Sequence, residues 1–111
     1  MSTAVTTDDA LLERSGAELR QLLRDGSLTS EALTAACLDA IARRDPALRS
    51  FLHVSGESAL AQARAVDAKR ERGDAVGLLA GLPVALKDNL CTRGEPTTCG
   101  SRMLADYRPP Y

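Results

Sequence analysis

The sequence predicts an α/β fold, because segments with the features of helices alternate with segments that have the features of strands. Four stretches have helical features, and two of them carry apolar residues at helical spacing. Two short apolar runs, residues 51–54 and 82–87, have the composition of strands. Two strands alone do not form a stable sheet. We therefore expect a sheet that is incomplete within these 111 residues.

The first helix is predicted to run from about Ala10 to Arg24, after a loose, polar tail over residues 1–9. Ser15 and Glu18 have the spacing of a capping box, in which each side chain accepts a hydrogen bond from the other residue's backbone N–H. This pair predicts a break in the helix near Ser15. Gly26 suits the end of the helix.

The second helix has the clearest pattern in the chain. Thr29 can serve as its N-cap. One face is apolar, and its members recur at spacings of three and four residues: Leu33, Ala36, Cys37, Ala40 and Ile41. Pro46 predicts an end at about Asp45, because the ring of proline disfavours helical backbone in the residue before it.

The third helix is rich in alanine and is predicted over about residues 57–72, with Ser55 as a possible cap and Gly73 at its end. The strand over residues 82–87 holds Pro83, which must lie at the start of the strand or on a sheet edge. The remaining segments are a loop over residues 89–96, a short helix from about 98 to 105 and an extended end over residues 108–111.

Composition excludes several classes of function. The net charge is −1 and no basic stripe with interleaved aromatic residues is present, so nucleic-acid binding by these residues is disfavoured. The first residues lack a basic region followed by an apolar one, so they do not read as a signal peptide. The longest mostly apolar run, residues 77–86, is about half a membrane span. We expect a soluble, cytoplasmic protein without membrane contact.

Metal and cofactor sites are not expected in this chain. Cys37, Cys91 and Cys99 lack the CxxC spacing of zinc sites, and their odd number argues against a disulfide scaffold. Free thiols suit the cytoplasm. His53 is the single histidine of the sequence, so a site with several histidines cannot form within it.

Lys87 is the best candidate for a catalytic residue. It follows an apolar strand, and α/β proteins have their sites at the carboxyl ends of such strands. Burial disfavours the charged form of a lysine, and a neutral lysine is a general base. The ordinary alternative is a strand-end lysine that pairs with Asp88 or reaches water, since charged residues are common at exposed strand ends.

Four segments resemble motifs of one enzyme family. Residues 81–89 read GLPVALKDN, which is similar to the lysine segment of the amidase-signature family. Residues 91–94 (CTRG), 97–101 (TTCGS) and 104–111 (LADYRPPY) resemble one branch of it, the A subunits of the glutamyl-tRNA(Gln) and aspartyl-tRNA(Asn) amidotransferases. The resemblance covers residues 15–111, and the four segments together are more specific than the lysine segment alone.

The resemblance implies a mixed sheet flanked by helices, with residues 10–111 as the N-terminal part of an amidase domain. It also implies a triad of a serine, a second serine with a cis peptide bond and a lysine, with Lys87 as the base. The implied substrate is glutamine, whose side-chain amide releases ammonia. In this branch the ammonia passes to the B subunit, which uses ATP and Mg²⁺ to convert the charged tRNA, Glu-tRNA(Gln), into Gln-tRNA(Gln). The B and C subunits are the implied partners.

The sequence departs from the family pattern in one respect. The Gly-Gly-Ser-Ser-Gly segment that supplies the nucleophile does not occur in these 111 residues. Ser101 follows a glycine and is the nearest substitute, but a serine near a helix start typically accepts a backbone hydrogen bond. We therefore expect these residues alone to be inactive.

Two cysteines are weaker candidates for a catalytic role. Cys91 and Cys99 need a histidine partner to act as nucleophiles, and His53 is distant in sequence.

One alternative function is that of a different amidase that hydrolyses a small amide without tRNA. The other is a helical interaction module without catalysis.

Overall fold

The computed structural model describes the backbone of residues 7–111 and the side chains of residues 9–111. Within this part of the chain, four α-helices precede a long segment without regular structure that holds one 3₁₀ turn. The helices are α1 (Thr7–Leu12), α2 (Gly16–Asp25), α3 (Ser30–Leu48) and α4 (Gly56–Glu71), and the 3₁₀ turn is Arg102–Leu104. The predicted tail over residues 1–9 lies mostly outside the described residues, and its last three positions begin α1.

The break predicted near Ser15 separates α1 from α2. The Ser15 Oγ atom accepts a hydrogen bond from the Glu18 N–H at 3.2 Å, and the Glu18 Oε2 atom accepts one from the Ser15 N–H at 2.8 Å. This pair satisfies N–H groups that a helix start otherwise leaves free. Gly26 ends α2 in the left-handed conformation, with φ +82°. The capping box and the glycine stop are therefore both confirmed.

The start of α3 is capped twice. Thr29 Oγ1 accepts a hydrogen bond from the Ala32 N–H at 3.1 Å, as the sequence predicts. The Asp67 carboxylate, on α4, accepts hydrogen bonds from the N–H groups of Ser30 (2.8 Å) and Glu31 (2.9 Å). No local spacing predicts this second cap, because it comes from a residue 37 positions away from Ser30. It couples the first turn of α3 to α4.

The predicted end of α3 at Asp45 is wrong, because the helix continues to Leu48 with Pro46 in its last turn. Proline has no N–H, so the carbonyl of residue 42 loses its helical donor. That residue is exposed, and solvent can replace the bond. The helix ends at Arg49, which is left-handed (φ +53°) and donates its N–H to the Asp45 carbonyl. The helix thus continues for only two residues beyond Pro46.

The apolar core lies where α3 packs against its neighbours, and α3 contacts both α1 and α4. The buried apolar side chains of this helical core are Leu23, Leu33, Ala36, Ala40 and Ala63. Three of them are alanines, each of which removes little apolar area from water. The small core is consistent with a sequence in which aromatic residues make up 3%.

The predicted sheet is not found among residues 7–111. The two predicted strands, residues 51–54 and 82–87, have no ladder of backbone hydrogen bonds and are not strands. Their apolar side chains face solvent, with Leu52 71% exposed and Val84 73% exposed. A strand requires a backbone partner, and no other described segment supplies one. The helices of the predicted α/β class are confirmed, whereas its mixed sheet is not.

The last predicted helix is shorter than expected. Instead of a helix over about residues 98–105, the structure has the 3₁₀ turn Arg102–Leu104. Ser101 precedes this turn, and its Oγ atom accepts a hydrogen bond from the Met103 N–H at 3.2 Å. The interpretation of Ser101 as a helix-start serine is confirmed. None of the helices described here is long and apolar enough to cross a membrane.

Candidate active site

The segment that leads to Lys87 is held at its start by two hydrogen bonds from the helices. Ser30 Oγ, at the start of α3, donates to the Gly81 carbonyl at 2.8 Å. Arg70 Nη2, on α4, donates to the Ala80 carbonyl at 2.8 Å. Ser30 is buried, so its hydroxyl depends on this protein partner. The two helices therefore fix the point at which the segment leaves the core.

The backbone at position 81 strongly favours glycine. Gly81 has φ +91°, and a Cβ atom there would lie 3.2 Å from the Ser30 Cβ and 3.4 Å from the Leu23 Cδ1. A side chain would thus be opposed both by the left-handed backbone and by the contact with α3. The close approach of the segment to the helix start depends on this residue.

Lys87 lies at the far end of the segment and is exposed. Its carbonyl accepts a hydrogen bond from the Leu90 N–H at 3.0 Å, which closes a turn over residues 87–90. No carboxylate of the described residues forms an ion pair with its ammonium group, and this includes the adjacent Asp88. The burial expected of a general base is not provided by residues 9–111, so the catalytic role of Lys87 stays a prediction.

Asp88 ties this turn to residues 98–100. Its carboxylate accepts hydrogen bonds from the Thr98 hydroxyl, from the Thr98 N–H at 2.9 Å and from the Gly100 N–H at 3.4 Å. Its carbonyl accepts one from the Cys99 N–H at 2.9 Å. Cys99 and Gly100 are both left-handed, with φ +52° and +69°. The N–H groups of Thr98 and Gly100 thus meet the carboxylate, and that of Cys99, between them, meets the carbonyl.

The environment of Asp88 keeps its carboxyl group ionised. The hydrogen bonds from the Thr98 side chain and backbone lower the pKa of Asp88 below its ordinary value of 3.8, while partial desolvation opposes the change. The Gly100 N–H and the charge of His53 lower the pKa further. An ionised carboxylate only accepts hydrogen bonds, so Asp88 does not act as a general acid at neutral pH. It serves as an anchor.

Residues 94–109 form the loop that holds Asp88, and backbone hydrogen bonds join the two sides of this loop. The N–H of Thr97, which is buried, donates to the Tyr107 carbonyl at 3.0 Å. The Gly94 N–H donates to the Pro109 carbonyl at 3.1 Å, and Arg108 Nη1 donates to the Gly94 carbonyl at 2.7 Å. These bonds hold the loop in place although it has no regular secondary structure. The residues that donate to Asp88, Thr98, Cys99 and Gly100, are therefore held as well.

The cysteine candidates lack a histidine partner. Cys91 and Cys99 are exposed. His53 Nε2 lies 2.8 Å from Ser55 Oγ and 3.2 Å from Glu95 Oε2. The one histidine of the chain is thus engaged with a hydroxyl and a carboxylate, and neither thiol has the base that thiolate catalysis needs.

The cluster of His53, Ser55 and Glu95 is not predicted by any sequence spacing, since Glu95 lies 40 positions after Ser55. Ser55 Oγ donates to Glu95 Oε2 at 2.5 Å, so its proton is directed at the carboxylate. Ser55 and Glu95 also meet the same ring nitrogen, whereas a Ser–His–acid triad has its serine and its acid on opposite nitrogens. The cluster joins the start of α4 to the loop and is not a hydrolase triad.

The described residues present a possible base but no activated nucleophile. The hydroxyls of Ser55 and Ser101 are engaged with Glu95 and with a backbone N–H. Within residues 9–111, no group of three or more histidine, cysteine, aspartate or glutamate side chains is arranged to hold a metal ion.

Comparisons with known proteins cover most of the chain. Residues 32–111 match the sequence model of the Amidase family. The chain is 54% identical over 94 residues to the A subunit of the glutamyl-tRNA(Gln) amidotransferase of Moorella thermoacetica. It is 53% identical over 89 residues to that of Chloroflexus aggregans and 48% identical over 101 residues to that of Acidothermus cellulolyticus. These alignments span 80–91% of this chain but 18–20% of the relatives, so the chain spans about a fifth of their length.

Proposed function

Because the chain belongs to the amidase family, we propose that it forms the lysine-bearing N-terminal part of the glutamine-hydrolysing A subunit of a tRNA-dependent amidotransferase. The observation that carries the proposal is that the chain segment bearing Lys87 is held by hydrogen bonds at both of its ends. Its segment is bonded to α3 and α4 at one end and to a closed loop at the other, and all of it lies within the family match. The relatives named as A subunits, at 48–54% identity, support the choice of branch.

In the proposed reaction, neutral Lys87 accepts a proton from a bridging serine, which in turn accepts one from the nucleophilic serine. The nucleophile attacks the side-chain amide carbon of glutamine, the C–N bond breaks, and ammonia leaves with the transferred proton. Water then hydrolyses the acyl-enzyme to glutamate. The segment that would supply the nucleophile does not occur in these 111 residues. Cover of the exposed Lys87 by that segment would supply the desolvation that favours a neutral amine.

The proposed destination of the ammonia is a partner protein. The B subunit would activate Glu-tRNA(Gln) with ATP and Mg²⁺, and the ammonia would convert it into Gln-tRNA(Gln). The C subunit would complete the complex, and the reaction would take place in the cytoplasm. Neither ATP nor Mg²⁺ is assigned to residues of this chain.

The proposal predicts that Lys87→Ala in the full-length protein, assembled with the B and C subunits, separates two activities. Glutamine hydrolysis should fall by about 10²–10⁴-fold, the contribution typical of a positioned base. Transamidation with added ammonium should survive, because it needs no glutaminase. Ammonia release from glutamine and formation of Gln-tRNA(Gln) are the two measurements.

Lys69→Ala is the matched control, since Lys69 is the only other lysine of these residues and lies exposed near the end of α4. Both activities should stay at the wild-type level in this variant. Glutamine hydrolysis that persists in the Lys87→Ala enzyme would contradict the proposal.

A further inference from the structure

The position of Lys87 depends on hydrogen bonds made by neighbouring residues of the chain and not by its own side chain. Upstream, the nearest anchors are the bonds to the carbonyls of Ala80 and Gly81. Lys87 lies six positions after Gly81, and six residues of chain can reach about 20 Å. Proton transfer requires heavy atoms about 3 Å apart. The upstream anchors alone therefore cannot fix the lysine well enough for catalysis.

The downstream anchor lies directly beside Lys87. The Asp88 carboxylate and carbonyl together accept four hydrogen bonds from Thr98, Cys99 and Gly100. Three of these donors meet the carboxylate, which has about four acceptor positions. Asp88 holds the backbone at Lys87 in this way, and the described residues show no ion pair between Asp88 and the ammonium group. An ion pair would favour the protonated lysine, which cannot act as a base.

We propose that Asp88 is a positioning residue for Lys87, and that Thr98 keeps its carboxylate from pairing with the lysine. The inference rests on the proposed function, since it assigns a role in that reaction. It adds two residues to the site: Asp88 sets the location of the base, and the Thr98 hydroxyl keeps the base free.

The test uses the full-length enzyme with its partner subunits and three substitutions. Asp88→Asn removes the charge, Thr98→Val removes the hydroxyl donor at nearly constant shape, and Thr98→Ser restores a hydroxyl. A displacement of about 1 Å can cost about 10²-fold in rate. We expect kcat for glutamine hydrolysis to fall about 100-fold in Asp88→Asn and about 10-fold in Thr98→Val, with KM within about twofold of wild type. Thr98→Ser should recover most of the rate.

The pH dependence separates positioning from a general loss of structure. Thr98→Val removes one of the three donors to the carboxylate and keeps the N–H groups of residues 98 and 100. The acceptor position that is freed can pair with the protonated Lys87, so the acidic limb of the kcat profile should move to higher pH. In Asp88→Asn there is no anion to pair with the lysine, and the limb should not move upward. A purely structural defect would lower kcat in both variants without this difference.

Glu95→Gln is the matched control, because it removes a carboxylate from the same loop at a point that faces Ser55 and His53 instead of Lys87. Its kcat should equal that of wild type. Unchanged kcat in both Asp88→Asn and Thr98→Val, or an equal loss in Glu95→Gln, would overturn the positioning role. If Asp88→Asn does not fold, Thr98→Val and its rescue carry the test alone.

The two proposals fail in different ways. If Lys87→Ala retains glutaminase activity, the proposed function is wrong. If Lys87→Ala is inactive while Asp88→Asn and Thr98→Val are fully active, only the role of Asp88 is wrong. Ammonium-dependent transamidation should stay at the wild-type level in every variant. Its loss with Asp88→Asn would show that this variant is misfolded, and Thr98→Val with its rescue would then decide.

Discussion

At the scale of single residues, two carboxylates of one loop region are stabilised by hydroxyl groups from different parts of the chain. Asp88 is bonded by Thr98, ten positions further on, and so stiffens its own neighbourhood. Glu95 is bonded by Ser55 and contacts His53, and so ties the loop to the start of α4. The same chemical group thus serves as a local anchor in one case and as a long-range tie in the other.

The tie at Glu95 predicts a dependence of stability on pH. The hydrogen bond from Ser55, with a smaller contribution from His53, lowers the pKa of Glu95 below its ordinary value of 4.5. A group whose pKa is lowered in the folded state stabilises that state above its unfolded pKa, and the contribution is lost as the pH falls. We expect the melting temperature of the full-length protein to decrease as the pH is lowered below about 4.5. The decrease should be less steep in Glu95→Gln, which has no carboxyl group to protonate at this position.

Glu71→Gln is the control for this experiment, because Glu71 is exposed at the end of α4 and its removal changes the charge by the same amount. Its profile of thermal midpoint against pH should follow wild type. Parallel profiles for wild type and Glu95→Gln would contradict the assigned tie.

At the scale of elements, the start of α3 is the point where two helices depend on each other. Asp67 on α4 accepts hydrogen bonds from the Ser30 and Glu31 N–H groups, in addition to the local cap from Thr29. Near the same point, Arg64 Nε on α4 donates to Glu31 Oε1 at 2.8 Å. The pairing of α3 with α4 is thus defined by polar contacts as well as by the small apolar core.

We expect Asp67→Ala to lower the free energy of unfolding by about 1–2 kcal/mol, the usual cost of removing a helix cap. The variant leaves two N–H groups in the first turn of α3 without their acceptor, while Thr29 still caps a third. Urea unfolding of the full-length protein, followed by far-UV circular dichroism, measures the change.

Asp39→Ala is the comparison, since Asp39 is exposed on α3 and pairs with Arg43 one turn later. Exposed pairs of this kind contribute at most about 0.5 kcal/mol. An equal effect of the two substitutions would show that Asp67 does not act as a cap.

The elements also show what the sequence can and cannot predict. The capping box at Ser15 and the N-cap at Thr29 depend on residues three positions apart, and local spacing predicts both. The Asp67 cap and the Glu95 tie join residues 36–42 positions apart, and no local pattern encodes them. Composition predicts the strands, but a strand forms only with a partner, and the described residues do not supply one.

The candidate site shows the same division. Lys87 is identified by its position after an apolar run and by its motif, both of which are local features. The roles of Thr98 and of Ser30, which hold the two ends of its segment, depend on contacts across ten and fifty-one positions. The helix end misplaced at Asp45 is a case in which the local rule for proline is outweighed by its location in the last turn.

At the scale of the whole molecule, the described residues bury few apolar side chains and leave many large ones exposed to solvent. The Cα positions extend over 45 × 45 × 21 Å, a flat shape with a core of five apolar side chains. Large apolar side chains that face solvent include Leu48, Leu52, Leu78, Leu79, Val84, Leu86 and Met103. Burial of such side chains stabilises a fold by about 1.5–3 kcal/mol each, and this chain forgoes most of that contribution.

We therefore expect the 111-residue chain, expressed alone, to be poorly folded or aggregated and to release no ammonia from glutamine. Binding of a hydrophobic dye, light scattering and an ammonia assay are the measurements. A monodisperse chain with a cooperative thermal transition and no dye binding would contradict this, and would favour the interaction module over the enzyme fragment.

Ser30 bears on the order of events during translation. Its N–H binds Asp67 and its hydroxyl binds the Gly81 carbonyl, so one residue joins three parts of the chain that leave the ribosome at different times. Gly81 is made ten residues after α4 ends at Glu71, a delay of about 0.5–2 s at ordinary rates of synthesis, whereas helices form in about a microsecond. The two long helices thus have time to pair first, and the lysine segment arrives at a surface that is already assembled.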